Sequence, residues 1–160
     1  MITEIRTFKL SDKENIIGIF NSNCPKYFDK NDLQDLIDFL DNYADDNFKV
    51  LLYNNEVIGC GGHYVKQKDK VFGIAWVMFR RFSIGPINFQ KITTQFFNHI
   101  LTNIEKEKLD FDIVINTTQL LEKTFNKFGF RTETIVEKGY GENLDHYIMR
   151  RQLNNKKTTA

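Results

Sequence analysis

A short turn containing Gly85 and Pro86 offers the clearest chemistry in the sequence. It follows a nearly all-apolar stretch that begins at Val71, and it precedes a segment with helical periodicity. The free backbone N–H groups at a helix start, added to the helix dipole, attract an anion such as a phosphate. The turn is therefore a candidate anion site. The alternative is a core strand that turns into a helix and binds nothing.

The histidines and cysteines do not have the spacing of a metal site. The three histidines are far apart in the sequence, and Cys24 and Cys60 form no CxxC pair. Two cysteines without framework spacing are typical of reduced thiols in a cytoplasmic protein. We therefore predict no metal, no disulfide and a cytoplasmic location.

The composition is that of one folded domain. The chain has 160 residues, including 15 Phe, 6 Tyr and one Trp, which is more aromatic content than a disordered chain carries. Its 22 basic and 21 acidic side chains give a net charge of +1, which favours neither nucleic acid nor a membrane as partner. We expect a single domain over residues 1–153, a polar tail over 154–160, and neither a secretion leader nor a membrane span.

The periodicity predicts an alternation of strands and helices. We expect strands at residues 3–9, 48–53, 56–65, 71–81, 111–115, 131–137 and 146–153, and helices at 14–20, 32–43, 92–104 and 117–128. Asn54 and Asn55 predict a hairpin turn between the second and third strands. The glycines at 59, 61 and 62 indicate a bulge or a close approach within a strand. This order is α/β, with helices on both faces of the sheet.

Several short blocks, in the same order, resemble the GNAT superfamily of acetyl-CoA-dependent N-acyltransferases. They are residues 23–28 (NCPKYF), 59–62 (GCGG), 73–78 (GIAWVM), 117–119 (TTQ), 125–130 (FNKFGF) and 139–147 (GYGENLDHY). The resemblance implies a mixed, mostly antiparallel sheet of six to seven strands with a central splay. It also implies acetyl-CoA as the acetyl donor, pairing like an extra strand with exposed strand backbone.

Carried onto this chain, the resemblance assigns the cofactor contacts of the central strand. Pantetheine contacts fall on Phe79, Arg80 and Arg81, although the arginines are equally explained as a strand end reaching solvent. The pyrophosphate loop falls on Ile84, Gly85, Pro86, Ile87, Asn88, Phe89 and Gln90.

The loop departs from the family pattern and fits it in two registers. The preferred, ungapped register places Ile87 and Phe89 in the two glycine positions of the family. The other aligns Arg80, Ser83 and Gly85, and lengthens the following helix. Glycine lets backbone approach a phosphate, so its loss weakens the predicted site.

Three further cofactor positions lie after the fifth strand. Thr118 stands where the family often has asparagine, and Gln119 either bonds the cofactor or caps its helix. Phe125 replaces the tyrosine that protonates the leaving thiolate in many relatives, and phenylalanine has no proton to give.

Acetyl transfer to an amine also requires a base and an acceptor cleft. The candidate bases are His63, Asp145, His146 and Glu122, of which none stands out. The candidate cleft residues are Asn23, Tyr27 and Phe28, with the alternative that this loop is pinned to the core by its two aromatic rings.

The sequence thus predicts an N-acetyltransferase acting by direct attack of an amine in a ternary complex. The acceptor is a small molecule or a peptide, and the protein is a monomer or a homodimer. The alternative is a catalytically impaired GNAT-fold protein with a CoA-binding or regulatory role. A third hypothesis is a phosphate-binding α/β domain that is unrelated to the GNAT superfamily.

Overall fold

The computed structural model describes residues 3–152. Within these residues, the backbone contacts define two compact units, one comprising residues 3–63 and 75–104, the other residues 64–74 and 105–152. The single domain over residues 1–153 stays a prediction, and the tail 154–160 lies outside the described residues.

Seven strands and four α-helices follow one another along the chain. They are β1 (Thr3–Thr7), α1 (Lys13–Asn23), α2 (Leu33–Asn42), β2 (Phe48–Tyr53), β3 (Glu56–Lys66), β4 (Val71–Phe79), α3 (Pro86–Glu105), β5 (Asp112–Thr117), α4 (Glu122–Asn126), β6 (Arg131–Gly141) and β7 (Leu144–Arg151). Within the described range, none of the helices has the length and apolar content that crossing a bilayer requires.

The strands form one sheet in the order β1-β2-β3-β4-β5-β7-β6. The β1–β2, β2–β3, β5–β7 and β6–β7 pairs are antiparallel, and β4–β5 is parallel. The predicted mixed, mostly antiparallel sheet is confirmed, with seven strands. The parallel ladder joins Val71–Gly73 to Asp112–Val114, while β4 continues to Phe79 and β5 to Thr117. The central splay stays a prediction.

Helices cover both faces of the strands in the first unit. On one face, buried side chains of α1 and α2 pack against Val50, Cys60 and Met78. On the other face, the ring of Phe96 in α3 lies 5.7 Å from that of Phe79 in an edge-to-face contact. The predicted stripe of α3 is buried, since Ile92, Phe96, Ile100 and Ile104 are at most 1% exposed. Burial on both faces explains why β3 and β4 are nearly continuous apolar runs.

The second unit differs from the sequence prediction in its helix and its hairpin. The segment predicted as one helix over 117–128 is a 3-10 turn, Gln119–Leu121, followed by the five-residue α4. Gly129, with φ of +92°, follows it, in agreement with the predicted cap. β6 extends to Gly141 and β7 begins at Leu144, so the hairpin is longer than the periodicity indicated.

A buried carboxylate ties β1 to the start of α1. Asp12, 4% exposed, accepts two hydrogen bonds from the Arg6 guanidinium at 2.8 and 2.9 Å and one from the Lys9 backbone N–H at 2.8 Å. The Arg6 hydrogen bond holds the pKa of Asp12 below its ordinary value, against the opposing effect of burial. The ionised form is therefore the one that the fold stabilises.

We expect Asp12→Asn to lower the free energy of unfolding by about 2 kcal/mol at pH 7, because it removes charge-assisted bonds to Arg6. Since the pKa of folded Asp12 is lowered, its contribution is present above its ordinary value of 3.8 and is lost as the pH falls through the folded value. The difference between the two proteins in urea unfolding should therefore shrink at acid pH.

Asp41→Asn is the matched control, because Asp41 forms a more exposed ion pair with Lys13 at 2.9 Å. It should change the free energy of unfolding by less than about 0.5 kcal/mol. Equal effects of the two substitutions would contradict the structural role given to Asp12.

Candidate functional site

The turn predicted to attract an anion connects β4 to α3. The first hydrogen bond of α3 runs from the Phe89 N–H to the Gly85 carbonyl at 2.9 Å. Pro86 has no N–H, so the helix itself offers no carbonyl partner to the N–H groups of Ile87 and Asn88. Both residues are exposed. The connection therefore presents two backbone donors at the positive end of a 20-residue helix.

The loop is shorter than the sequence predicted. Residues 86–90 are helical, so the irregular segment comprises residues 80–85 only. The predicted start of this helix at residue 92 is therefore wrong, while the predicted pyrophosphate segment, Ile84 to Gln90, and its register stay predictions. The register with Arg80 and Gly85 in the loop agrees with this helix start and with the greater length of α3.

The surroundings of the loop are open and free of acidic side chains in the first helical turn. A Cβ added to Gly85 would have no described atom within 4 Å. The first turn of α3 contains no Asp or Glu. Ile87 is 84% exposed and Phe82 is 89% exposed. An anion could approach this end of α3 without meeting a like charge there.

Both arginines at the end of β4 are engaged with α1 and its following loop. The Arg80 guanidinium lies over Gly18 and donates to the Asn15 carbonyl at 3.3 Å. The Arg81 guanidinium lies 4.8 Å from the Phe82 ring centre and 5.5 Å from that of Tyr27. Such contacts are cation–π interactions. The two guanidinium groups thus contact the protein itself, and the pantetheine contacts of Arg80 and Arg81 stay a prediction.

The predicted acceptor residues lie in the first unit, and all three have structural contacts, those of Tyr27 being with Arg81. Asn23 is 6% exposed and donates its amide hydrogens to the carbonyls of Ile19 at 2.8 Å and Phe79 at 2.9 Å. Phe28 packs on Phe20, with ring centres 5.5 Å apart. The sequence did not indicate that Asn23 joins the end of α1 to the end of β4.

Thr118, Gln119 and Phe125 lie in the second unit, with different surroundings. Among residues 3–152, the buried Thr118 hydroxyl has no hydrogen-bond partner. The Gln119 side chain donates to the Asn143 carbonyl and accepts from the Asp145 N–H, each at 2.9 Å, so it holds the β6–β7 turn. Phe125 is 8% exposed. Of these three residues, Thr118 is therefore the one with a polar group left for a ligand.

Of the candidate bases, His146 has the surroundings of a neutral imidazole. Its Nε2 lies 2.7 Å from Asn116 Oδ1, and its ring stacks on Tyr140 with centres 4.5 Å apart. With Oδ1 as acceptor, Nε2 carries the hydrogen and Nδ1 the lone pair. Burial lowers the pKa of His146. The imidazole is therefore mostly unprotonated at pH 7.

The other candidate bases are engaged or buried. Asp145 accepts from the Lys138 N–H at 2.9 Å, and Glu122 accepts from the Thr132 hydroxyl at 2.5 Å. His63 is 4% exposed. His63 belongs to the first unit, and His146, Asp145 and Glu122 belong to the second.

Comparison with known proteins identifies the fold. A scan against protein-family models gives no match, and a search of curated proteins gives none either. Among solved structures, Ard1 from Thermoplasma volcanium is 15% identical, with a TM-score of 0.74, over 95% of this chain and 98% of its own. An acetyltransferase of the GNAT family from Staphylococcus aureus Mu50 is 16% identical, with a TM-score of 0.73, over 96% and 100%.

A third match is a larger protein. N-acetylglutamate synthase from Neisseria gonorrhoeae, solved with coenzyme A and N-acetyl-glutamate, is 15% identical with a TM-score of 0.67. The alignment covers 96% of this chain but 36% of the synthase, so this chain spans about a third of that protein. The predicted fold is confirmed. The chain has the GNAT acetyltransferase fold.

We expect Asn23→Asp to lower the free energy of unfolding by about 2 kcal/mol, because a carboxylate cannot donate to the two carbonyls that Asn23 now bonds. Thermal and urea unfolding followed by circular dichroism measure this loss.

Asn21→Asp makes the same chemical change on an exposed side chain of the same helix. It should leave the free energy of unfolding within about 0.5 kcal/mol of the wild-type value. If Asn23→Asp is as mild as this control, Asn23 does not hold α1 to β4.

Proposed function

We propose that this protein is an N-acetyltransferase that transfers the acetyl group of acetyl-CoA to an amine acceptor. The observation that carries the proposal is the β4–α3 connection in a chain with the GNAT acetyltransferase fold. Its free N–H groups at Ile87 and Asn88 suit a pyrophosphate, as in other helix N-termini that bind anions. No acid opposes an anion in the first turn of α3.

The phosphate site of this proposal overlaps the segment expected from the sequence, Ile84 to Gln90, and extends it back to Arg80. The loop 80–85 and the first N–H groups of α3 bind the pyrophosphate. The side chains of Arg80 and Arg81 hold this loop through their contacts with α1 and Tyr27. Ile87 does not obstruct the site, because its side chain is directed to solvent, at 84% exposure. The buried Thr118 hydroxyl is the candidate cofactor contact in the second unit.

The chemistry is a direct attack without an acyl-enzyme. The acceptor nitrogen bonds to the thioester carbonyl carbon, the C–S bond breaks, and the CoA sulfur leaves as a thiolate that takes a proton from water. The Phe79 backbone N–H is the proposed oxyanion donor. Cys60 is unsuited to be a nucleophile, because it is fully buried and burial strongly raises its pKa.

His146 is the proposed base that takes the amine proton. It is the candidate whose lone pair is left at Nδ1 after its other nitrogen pairs with Asn116. Asp145 and Glu122 already accept hydrogen bonds from neighbouring groups. An acceptor of small-molecule or peptide type, and a cytoplasmic location, complete the proposal.

One observation favours the alternative, a CoA-binding or regulatory protein without activity. Phe125 is a buried hydrocarbon ring at the position where many GNAT enzymes have a tyrosine. Calorimetry with acetyl-CoA, followed by release of free CoA with a panel of amines, separates the two functions. Binding without turnover supports the alternative, and no binding at millimolar acetyl-CoA overturns both.

We expect Gly85→Glu to weaken acetyl-CoA binding more than about tenfold, because it places a carboxylate beside the proposed pyrophosphate. The side chain fits, since no described atom lies within 4 Å of a Cβ at Gly85. Isothermal titration calorimetry measures the change.

Two controls isolate the charge at Gly85. Gly85→Ala adds the same Cβ without charge, and Asn98→Glu adds the same charge at an exposed position later in α3. Both should bind acetyl-CoA within about threefold of wild type. Unchanged affinity in Gly85→Glu would mean that the pyrophosphate lies elsewhere.

We expect acetyl transfer to decline as the pH falls through the lowered pKa of His146, below its ordinary value of 6.5. The protonated imidazole cannot accept the amine proton. The pH profile of kcat/KM should lose this limb in His146→Gln, with kcat reduced about a hundredfold. His99→Gln, a histidine change in α3, should keep the wild-type profile. A His146→Gln protein with the wild-type profile excludes His146 as the base.

A further inference from the structure

β4 is bent at Trp76, whose backbone has a left-handed conformation. Its φ of +47° lies in a region that bulky residues rarely adopt. A residue of this kind persists only where its surroundings fix it, and such residues concentrate at functional sites. The indole is held by two aromatic rings, Phe28 with centres 6.1 Å away and Phe20 at 6.4 Å.

Cys60 in β3 holds the backbone at this bend. Its thiol donates to the Trp76 carbonyl, with an Sγ–O distance of 3.3 Å. Cys60 is 0% exposed, so no solvent competes for this contact. A buried side chain of β3 thus bonds directly to the residue whose backbone is left-handed.

The glycines beside Cys60 make room for the bent strand. A Cβ on Gly59 would lie 2.6 Å from Cδ1 of Phe79, and one on Gly61 would lie 2.8 Å from Cγ2 of Val77. Both distances are shorter than real Cβ contacts. β3 therefore has a thiol that bonds to the backbone at the bend, and two glycines that leave space for the side chains of Val77 and Phe79.

We infer that Cys60 is a positioning residue for acetyl transfer: its thiol fixes the bend at Trp76 and so directs the backbone that leads to Phe79. The inference rests on the proposed function, in which the Phe79 N–H stabilises the developing oxyanion. Cys60 touches neither donor nor acceptor and acts only through β4. A displacement of about 1 Å at such a donor is enough to reduce turnover strongly.

Trp76 makes this inference testable, because it is the single tryptophan of the sequence. Its near-UV circular dichroism and fluorescence report the bend directly, without an acceptor. We expect Cys60→Ala to change the Trp76 near-UV band by about half and to lower kcat about tenfold or more, with the Kd for acetyl-CoA within about threefold of wild type. Cys60→Ser, whose hydroxyl still donates, should restore most of both.

Val50→Ala is the matched control for simple loss of packing. Val50 pairs with Cys60 in the β2–β3 ladder and is 0% exposed, but its side chain cannot hydrogen-bond to Trp76. It should lower Tm while keeping the Trp76 spectrum and kcat. Should Cys60→Ala not fold, Cys60→Val, which fills the space without a donor, carries the same expectation.

Folded Cys60→Ala protein with the wild-type Trp76 spectrum, or with the wild-type kcat, would overturn the inference. The inference would also be overturned if kcat fell no further in Cys60→Ala than in Val50→Ala. If the wild-type protein binds no acetyl-CoA, the proposed function fails, and with it the positioning role of Cys60 in acetyl transfer. An unchanged spectrum alongside intact acetyl-CoA binding would overturn the inference alone.

Discussion

The left-handed backbone of Trp76 constrains the course of β4 in the first unit. A bend inside a strand changes the direction of every residue after it. Beyond the bend, Met78 joins the cluster that α1 and α2 cover, while the Phe79 ring lies 5.7 Å from that of Phe96 in α3. The Arg80 N–H then bonds to the Ile58 carbonyl of β3 at 2.7 Å. The residues after the bend are thus fixed on both faces and on the β3 edge up to the point where the loop to α3 starts.

The contacts around that loop bear on whether a degenerate sequence is compatible with the proposed anion site. The side chains of Arg80 and Arg81 contact α1, Tyr27 and Phe82, so they position the loop. In the proposal, the attraction for a phosphate comes from the helix N-terminus, about 0.3–1 kcal/mol for an exposed charge. Backbone N–H groups supply it whatever side chain is attached. The proposal therefore does not depend on the glycines that this loop lacks.

The spacing of apolar residues predicted most of the helices and strands, because the burial of one face requires that spacing. The stripe from Ile92 to Ile104 and the Asn54-Asn55 turn are local signals, and both are found. α3 starts at Pro86 and not at the predicted residue 92, because the periodicity shows only the buried stripe, although a proline at the first helical position is itself a helix signal. Contacts between residues distant in sequence, such as Asn23 with the Phe79 carbonyl, leave no local pattern and could not be predicted.

In the proposed reaction, removal of the amine proton by the base matters more than protonation of the thiolate at position 125. A thiol with a pKa near 8.5 leaves readily, and water can protonate it, so the missing tyrosine removes a small advantage. An amine with a pKa near 10.4 is protonated at pH 7, and making it neutral costs about 4.6 kcal/mol whichever base is present. A side chain that is itself neutral at pH 7 can accept the proton that the nitrogen loses as the N–C bond forms, and the lowered pKa of His146 keeps that side chain neutral. Whether this chain is an enzyme therefore turns on access of the amine to His146 Nδ1 more than on the residue at position 125.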